Sequence, residues 1–144
     1  MKKKKKTFVL MISEKFPAYH PRAGQETFFE DKIKSGDKIH TIRQNFALWK
    51  KRAVIINSGD GVLSIRKWAG KPYRSKHIEL FRFEIIYVQK IDYDQEGWWS
   101  INHWLYRNAE LAKNDGLSED DFISWFKGCP DNLGCIIHFT DFKY

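Results

Sequence analysis

The sequence has no apolar run approaching the ~18 residues a membrane-spanning helix needs, and that length argument sets integral membrane proteins aside. The lysine run Lys2–Lys6 followed by Phe8-Val9-Leu10-Met11-Ile12 has the outline of a secretory leader. The apolar part is too short, however, and Ser13-Glu14-Lys15 stands where small residues would mark a cleavage site. A cytoplasmic protein is therefore expected. Cysteine is scarce: Cys129 and Cys135 flank Pro130-Asp131-Asn132-Leu133-Gly134, with His138 close by. Two thiols and one imidazole fall short of a four-ligand zinc site, so no metal is expected, and two reduced thiols are the default in a cytoplasmic chain. A disulfide across that loop remains the alternative in an oxidising setting. There is no internal repeat and no Pro/Gly-rich linker, which argues for one domain over residues 7–144 preceded by a basic tail at 1–6.

Excess charge is also smaller than it first looks. The formal net charge is +7, but the lysines at 2–6 carry five of those charges and leave +2 on the rest. The tail reads as a solvated arm with weak affinity for any polyanion. With 42% hydrophobic and 16% aromatic residues, 144 residues suffice for a substantial core, so a disordered chain is excluded.

What is present is concentrated at Gly36-Asp37-Lys38-Ile39-His40-Thr41-Ile42-Arg43. A glycine turn leads into a strand-like run carrying a lysine, a histidine, a threonine and an arginine. A strand that only fills a core alternates apolar and polar side chains without gathering such a set. The plainer reading is an exposed edge strand made soluble by Lys and Thr.

Around that block, Thr7–Ile12 reads as a strand buried on both faces, and residues 16–25 as a loop. A short helix carries Phe28, Phe29 and Ile33 toward the core and ends at Gly36. Asn45–Asn57 reads as a helix with Phe46, Trp49, Ala53 and Ile56 on one stripe. Residues 62–68 and 77–90 read as strands, the second with Phe81, Phe83, Ile85 and Tyr87 on one face. Trp98–Leu105 fits strand or helix equally. Asn108–Lys113 reads as a helix, and Ser118 caps another whose stripe is Phe122, Trp125 and Phe126. Gly134–Phe139 closes the chain as a strand. The expectation is a mixed α/β (α+β) unit with a largely antiparallel, curled sheet.

Glycine, one spacer, then Lys-x-x-Thr-x-Arg after a short helix resembles the signature of the ASCH domain family. Trp49 in the next helix, Ser58-Gly59-Asp60 before a strand, Asn114-Asp115-Gly116-Leu117-Ser118 before the Phe122/Trp125 helix, and the closing Ile137-His138-Phe139 stand in the family's order. The resemblance spans about residues 28–142. It implies a PUA-like curled β-barrel of about five or six mostly antiparallel strands with three or four helices, in a superfamily that binds RNA. It also implies either recognition of RNA or a modified nucleobase, or removal of an acyl group from the exocyclic amine of cytidine or a related nucleoside. Lys38 and Thr41 match the lysine and threonine of the amidohydrolase branch, and Asp115 stands where that branch has glutamate. A hydroxyl nucleophile activated by a desolvated lysine is sound chemistry, with a carboxyl group to move a proton to the departing amine. The shorter Asp115 side chain is displaced by roughly one bond length, ~1.5 Å, and misplacement of that order costs about a hundredfold in rate. Lys38 and Thr41 meet only if Lys38 lies in the turn before the strand or a bulge re-aims it.

Each candidate has more than one reading. Arg43 clamps a phosphate or base, or ties the strand to a helix. His40 is a binding residue, or an ordinary strand histidine without an orienting carboxylate. Trp49 stacks on a base, or fills the core. Asp115 is the third group of the site, or caps the turn before Gly116. Arg66, Lys67, Lys71, Tyr73 and Arg74, in the basic aromatic segment 66–82, form an RNA-binding surface or a solvated hairpin. Trp98, Trp99 and Trp104 are a stacking platform, internal packing or a protein contact. A protein-interaction module without a working pocket is the third functional alternative, and no cofactor is implied.

Overall fold

A computed structural model describes residues 4–94, 96–127 and 134–144. Among the described residues eight strands form two sheets, and four α-helices are placed among them. The first sheet has three strands in the order β1 (Lys6–Met11), β3 (Gly61–Trp68), β4 (His77–Phe83). β1 runs parallel to β3 and β4 antiparallel to it, with a register shift between Ile65 and Arg66. The second sheet is antiparallel throughout, in the order β2 (His40–Arg43), β8 (Gly134–His138), β5 (Tyr87–Tyr93), β6 (Trp98–Ile101), β7 (Trp104–Arg107).

This is a mixed α+β fold, but the single curled sheet of five or six strands is replaced by two sheets. Among the described residues they do not close into a barrel. Two local events explain the difference. The long strand expected over 77–90 is interrupted because the Asn57 side chain captures the backbone of Ile86. Its Oδ1 accepts from the Ile86 N–H at 2.9 Å and its Nδ2 donates to the Ile86 carbonyl at 2.8 Å. A side-chain amide takes the place of a neighbouring strand there, so β4 and β5 belong to different sheets. Ile85, expected on the inward face, falls in this break and is exposed. Second, the ambiguous segment 98–105 is a hairpin. Asn102 and His103 both adopt left-handed backbone (φ 50° and 69°), the pair of positive φ angles that a two-residue turn requires.

Three further expectations change. β1 is an outer strand with only Leu10 buried in it: β3 pairs with one edge, and among the described residues no strand pairs with the other. Lys6 already belongs to β1, opposite Gly61, and Lys5 pairs with Glu84 at 3.1 Å, so the basic tail is shorter than residues 1–6. Phe28 precedes helix α1 (Phe29–Ser35) in left-handed backbone and is exposed, leaving Phe29 as the core residue.

The other helices form where the sequence places them. Helix α2 (Phe46–Ile55) begins at Asn45, whose side chain accepts from the Leu48 N–H, and buries Trp49 and Ala53. It runs into one wide turn, Ile56–Asp60. Helix α3 (Asn108–Asn114) follows β7 directly. Helix α4 (Glu119–Phe126) is capped by Ser118, which accepts from the Asp121 N–H at 3.2 Å. Phe122 and Phe126 of α4 enclose Trp99 with Tyr93 and Ile101 in the core. No helix of the described residues is long and apolar enough to cross a membrane.

Candidate functional site

Three chain segments build the site. Gly36 ends α1 in left-handed backbone (φ 86°), its N–H donating to the Ile33 carbonyl, and turns the chain so that Lys38 precedes β2 rather than joining it. Asp115 ends α3, its N–H donating to the Leu111 carbonyl at 2.9 Å. The two residues are bridged as an isolated antiparallel pair, and the Ile39 N–H donates to the Asn114 carbonyl at 2.9 Å. Gly116 is required beside them: its φ is +77°, and a Cβ there would stand 2.9 Å from the Lys38 Cβ.

The Lys38 ammonium donates to both the Asp115 carboxylate (Oδ1) and the Asp115 carbonyl, each at 2.8 Å. It also lies 4.2 Å from the centre of the Phe29 ring. Lys38 is only 2% exposed, and Asp115 is buried too. Burial lowers the Lys38 pKa, opposed by the Asp115 charge. Burial alone would raise Asp115, but Lys38 and His40 together outweigh it and hold the carboxyl below its ordinary range. The pair is an ammonium and a carboxylate, with a second acceptor on the same residue fixing the lysine.

His40, expected on an open strand surface, is fully buried against the same carboxylate, with Nδ1 3.4 Å from Asp115 Oδ1. That separation is long, and Nδ1 has no well-aligned acceptor. Nε2 lies 2.7 Å from the Tyr144 hydroxyl, which accepts from Asn114 Nδ2 at 3.0 Å. Because the Asn114 Nδ2 amide nitrogen can only donate, the phenol proton is directed at His40 Nε2, placing the imidazole proton on Nδ1 facing Asp115. Burial lowers the His40 pKa and raises that of Tyr144, so both are neutral. His138 stands edge-on to His40 and is held by Gln89 Oε1 at 2.8 Å, which also accepts from the Tyr144 N–H.

On the other face of β2, the buried Thr41 hydroxyl oxygen accepts from Arg43 at 2.8 Å. Arg43 also donates to the carbonyls of Ile42 (3.0 Å) and Met11 (2.9 Å), tying β2 to β1. Among the described residues it has no carboxylate ion-pair partner, and two of its five N–H donors have no protein acceptor. Burial lowers its pKa, with Asp115 opposing, but a guanidinium stays charged at physiological pH.

Lys38, Thr41, Arg43 and Asp115 line one cavity, with Ser13, Phe29, Trp125 and Phe126 among its other walls. Its two cations and one anion leave a surplus positive charge. The cavity has about 30 Å³ of open space, room for one or two waters, against the roughly 300–1,000 Å³ of ordinary small-molecule pockets. Its present shape admits a small polar group and excludes a whole ring. A larger open groove of about 490 Å³ runs past Lys32, Asp37, Lys113 and Glu119, but Lys38, Thr41 and Arg43 do not line it.

The remaining candidates lie elsewhere. Trp49 is core, with the Arg52 guanidinium 4.7 Å from its ring centre. Arg66 is turned to Ser64 at 2.9 Å, and Lys67 is held by Glu14 (3.0 Å) and Glu30 (3.2 Å), whose bonds raise its pKa. Lys71, Tyr73 and Arg74 stand exposed at the β3–β4 turn. The three tryptophans do not form one patch: Trp99 is fully buried, Trp98 stacks under Arg107, and only Trp104 is largely exposed. Alternation along β6 forces Trp98 and Trp99 to opposite faces. Cys135 is a buried free thiol, its pKa pushed up to about 12 by burial, while Cys129 lies outside the described residues. No group of three His, Cys, Asp or Glu side chains among the described residues is arranged to hold a metal ion.

Sequence reasoning missed Tyr144 and Gln89, since nothing in their spacing links them to His40 and His138. Asn114 carried a signal only as part of the turn motif. No family model matches this chain, and neither any curated protein nor any solved structure matches it.

Proposed function

We propose that this chain recognises a modified or exposed nucleobase, free or in RNA, by drawing an electronegative substituent of the base into the Lys38–Thr41–Arg43–Asp115 cavity. The observation that carries this reading is Arg43: a cation without a carboxylate partner among the described residues, facing the same cavity as a self-neutralised Lys38–Asp115 pair. A carbonyl oxygen fits the surplus charge, Asp115 offers an acceptor for an exocyclic N–H, and the small cavity suits a substituent rather than the ring. The resemblance of the Gly36–Arg43 block to the ASCH signature points to the same ligand class. A PUA-like ancestry of the two sheets is part of this proposal.

The second reading is hydrolysis of an acylated cytidine, favoured by one contact. Arg43 donates to the Thr41 oxygen, and a cation there eases loss of the hydroxyl proton. Against it stands the Lys38–Asp115 pair: the Asp115 carboxylate, 2.8 Å away, opposes the burial that lowers the Lys38 pKa and favours the ammonium, which has no lone pair to accept that proton. Recognition therefore ranks first.

Titrating the protein with acetylcytidine, cytidine and uridine by calorimetry, with absorbance followed in parallel, separates the readings. Saturable binding lost in Arg43→Gln, without spectral change, supports recognition. Loss of the acyl chromophore with wild type and not with Thr41→Val establishes hydrolysis. Neither binding nor turnover removes both.

A further inference from the structure

The hairpin between β3 and β4 presents a second surface, separate from the cavity. From Gly61 to Ile78 the chain has five Lys or Arg residues and no Asp or Glu. Arg66 and Lys67 are committed inward, to Ser64 and to Glu14 and Glu30. Lys71, Arg74 and Lys76 at the tip have no ion-pair partner among the described residues. The loop is nonetheless well built. The Ala69 N–H donates to the Lys76 carbonyl at 2.8 Å, the Arg74 N–H to the Lys71 carbonyl at 3.1 Å, and Ser75 Oγ bridges the Gly70 N–H and the Lys71 carbonyl at 2.9 Å each.

Within this frame Tyr73 is held in left-handed backbone, φ 63°, and is 88% exposed. A bulky side chain seldom adopts that conformation without compensation, and here no buried contact supplies it. Its ring leans on Trp68, centroids 5.2 Å apart, and Trp68 in turn meets His77 edge-on at 4.4 Å. An aromatic face, backed by a second ring and flanked by three unpaired cations, combines a stacking platform with phosphate contacts. Lys67, at the base of this finger, joins it to Glu14 and Glu30, the neighbours of cavity residues Ser13 and Phe29.

We infer that the β3–β4 tip docks single-stranded nucleic acid, one base stacking on Tyr73 while Lys71, Arg74 and Lys76 meet phosphates. The surface chemistry calls for a polyanion with flat faces. The choice of nucleic acid over an acidic protein rests on the nucleobase reading of the cavity, which the hairpin extends from a free nucleoside to a strand.

The test is fluorescence anisotropy of a labelled twelve-residue oligouridylate with the full chain across a potassium chloride series, beside a duplex of equal length. Three variants accompany wild type: Tyr73→Gly; Lys71→Gln with Arg74→Gln and Lys76→Gln; and a tail control, Lys2→Ser with Lys3→Ser and Lys4→Ser. Three phosphate contacts give a log–log salt slope of about −2 from the hairpin. Tyr73→Gly is expected to weaken single-strand binding by roughly five- to a hundredfold, with an unchanged melting temperature because glycine suits that backbone. The triple Gln variant flattens the salt slope. Equal binding by wild type and both hairpin variants overturns the inference, including the case in which only the tail control loses affinity. Absence of oligonucleotide binding at low salt overturns it too and reassigns the finger to an acidic protein. Tyr73-dependent strand binding without nucleoside binding upholds the hairpin and removes the cavity reading. Nucleoside binding with silent hairpin variants does the reverse.

Discussion

The Lys38 ammonium lies 2.8 Å from the Asp115 carboxylate oxygen, although one residue precedes β2 and the other ends α3. The contact joins two parts of the chain that share no strand ladder, and it is buried on both sides. Breaking a buried pair from one side leaves an uncompensated charge, a loss of about 3–5 kcal/mol. Lys38→Ala and Asp115→Ala are each expected to lower urea-unfolding stability by that amount. The double variant Lys38→Met with Asp115→Leu should cost clearly less than their sum, and strict additivity would mean that the two charges are not coupled.

Acid should destabilise the fold well above the carboxylate range. Burial, with His40 and Lys143, pushes the His138 pKa from 6.5 down to about 3, and His40 is lowered as well. Between those limits the unfolded chain binds a proton that the folded chain refuses, so stability is full above pH 6.5 and falls as pH drops toward 3. His138 alone accounts for about 3 kcal/mol of loss by pH 4. Asp115, held low by Lys38 and His40, adds further loss once pH falls through its own depressed pKa. Unfolding free energies at pH 7, 5.5 and 4 should show this slope, and His138→Phe should flatten its upper part. A flat wild-type profile would contradict the buried neutral imidazole.

Two glycines with positive φ should respond differently to alanine. A Cβ on Gly134 (φ +143°) would meet the Arg43 carbonyl oxygen at 2.4 Å and the Gln44 Cα at 2.7 Å, both backbone. Gly36 (φ +86°) faces open space. Gly36→Ala should cost only the conformational term, about 1–2 kcal/mol. Gly134→Ala adds overpacking of roughly 1–3 kcal/mol and also displaces the end of β2 that carries Arg43. Chemical denaturation of the two variants measures the difference.

Asn57→Ala should cost about 1–3 kcal/mol, because the N–H of fully buried Ile86 then lacks an acceptor. The loss should be accompanied by faster amide exchange at Ile86 than elsewhere in the core. Unchanged protection there would show that Asn57 does not hold the β4–β5 break.

These residues also show what the sequence could tell. The gathering of Lys38, Thr41 and Arg43 was legible because Gly36 placed Lys38 before the strand, so strict alternation did not separate it from Thr41. Asp115 was legible through the Asp-Gly turn, although its carboxylate binds Lys38 rather than capping that turn. Burial of His40 was not, since its partners Asp115 and Tyr144 approach only through tertiary packing. The division into two sheets was equally hidden. It depends on one asparagine pairing with a backbone far along the chain and on two non-glycine residues adopting left-handed backbone at 102 and 103. Charge counting overestimated the basic segment for a similar reason: Arg66 and Lys67 are matched by Ser64, Glu14 and Glu30 across elements.

The most direct test of the account is a titration of ¹⁵N-labelled protein with acetylcytidine, read by two-dimensional NMR. Saturable shifts centred on Ser13, Thr41, Arg43 and Asp115, absent in Arg43→Gln, are the predicted result. Shifts confined to surfaces away from these residues, or no shifts at millimolar nucleoside, would contradict the nucleobase-recognition reading of the Lys38–Thr41–Arg43–Asp115 cavity.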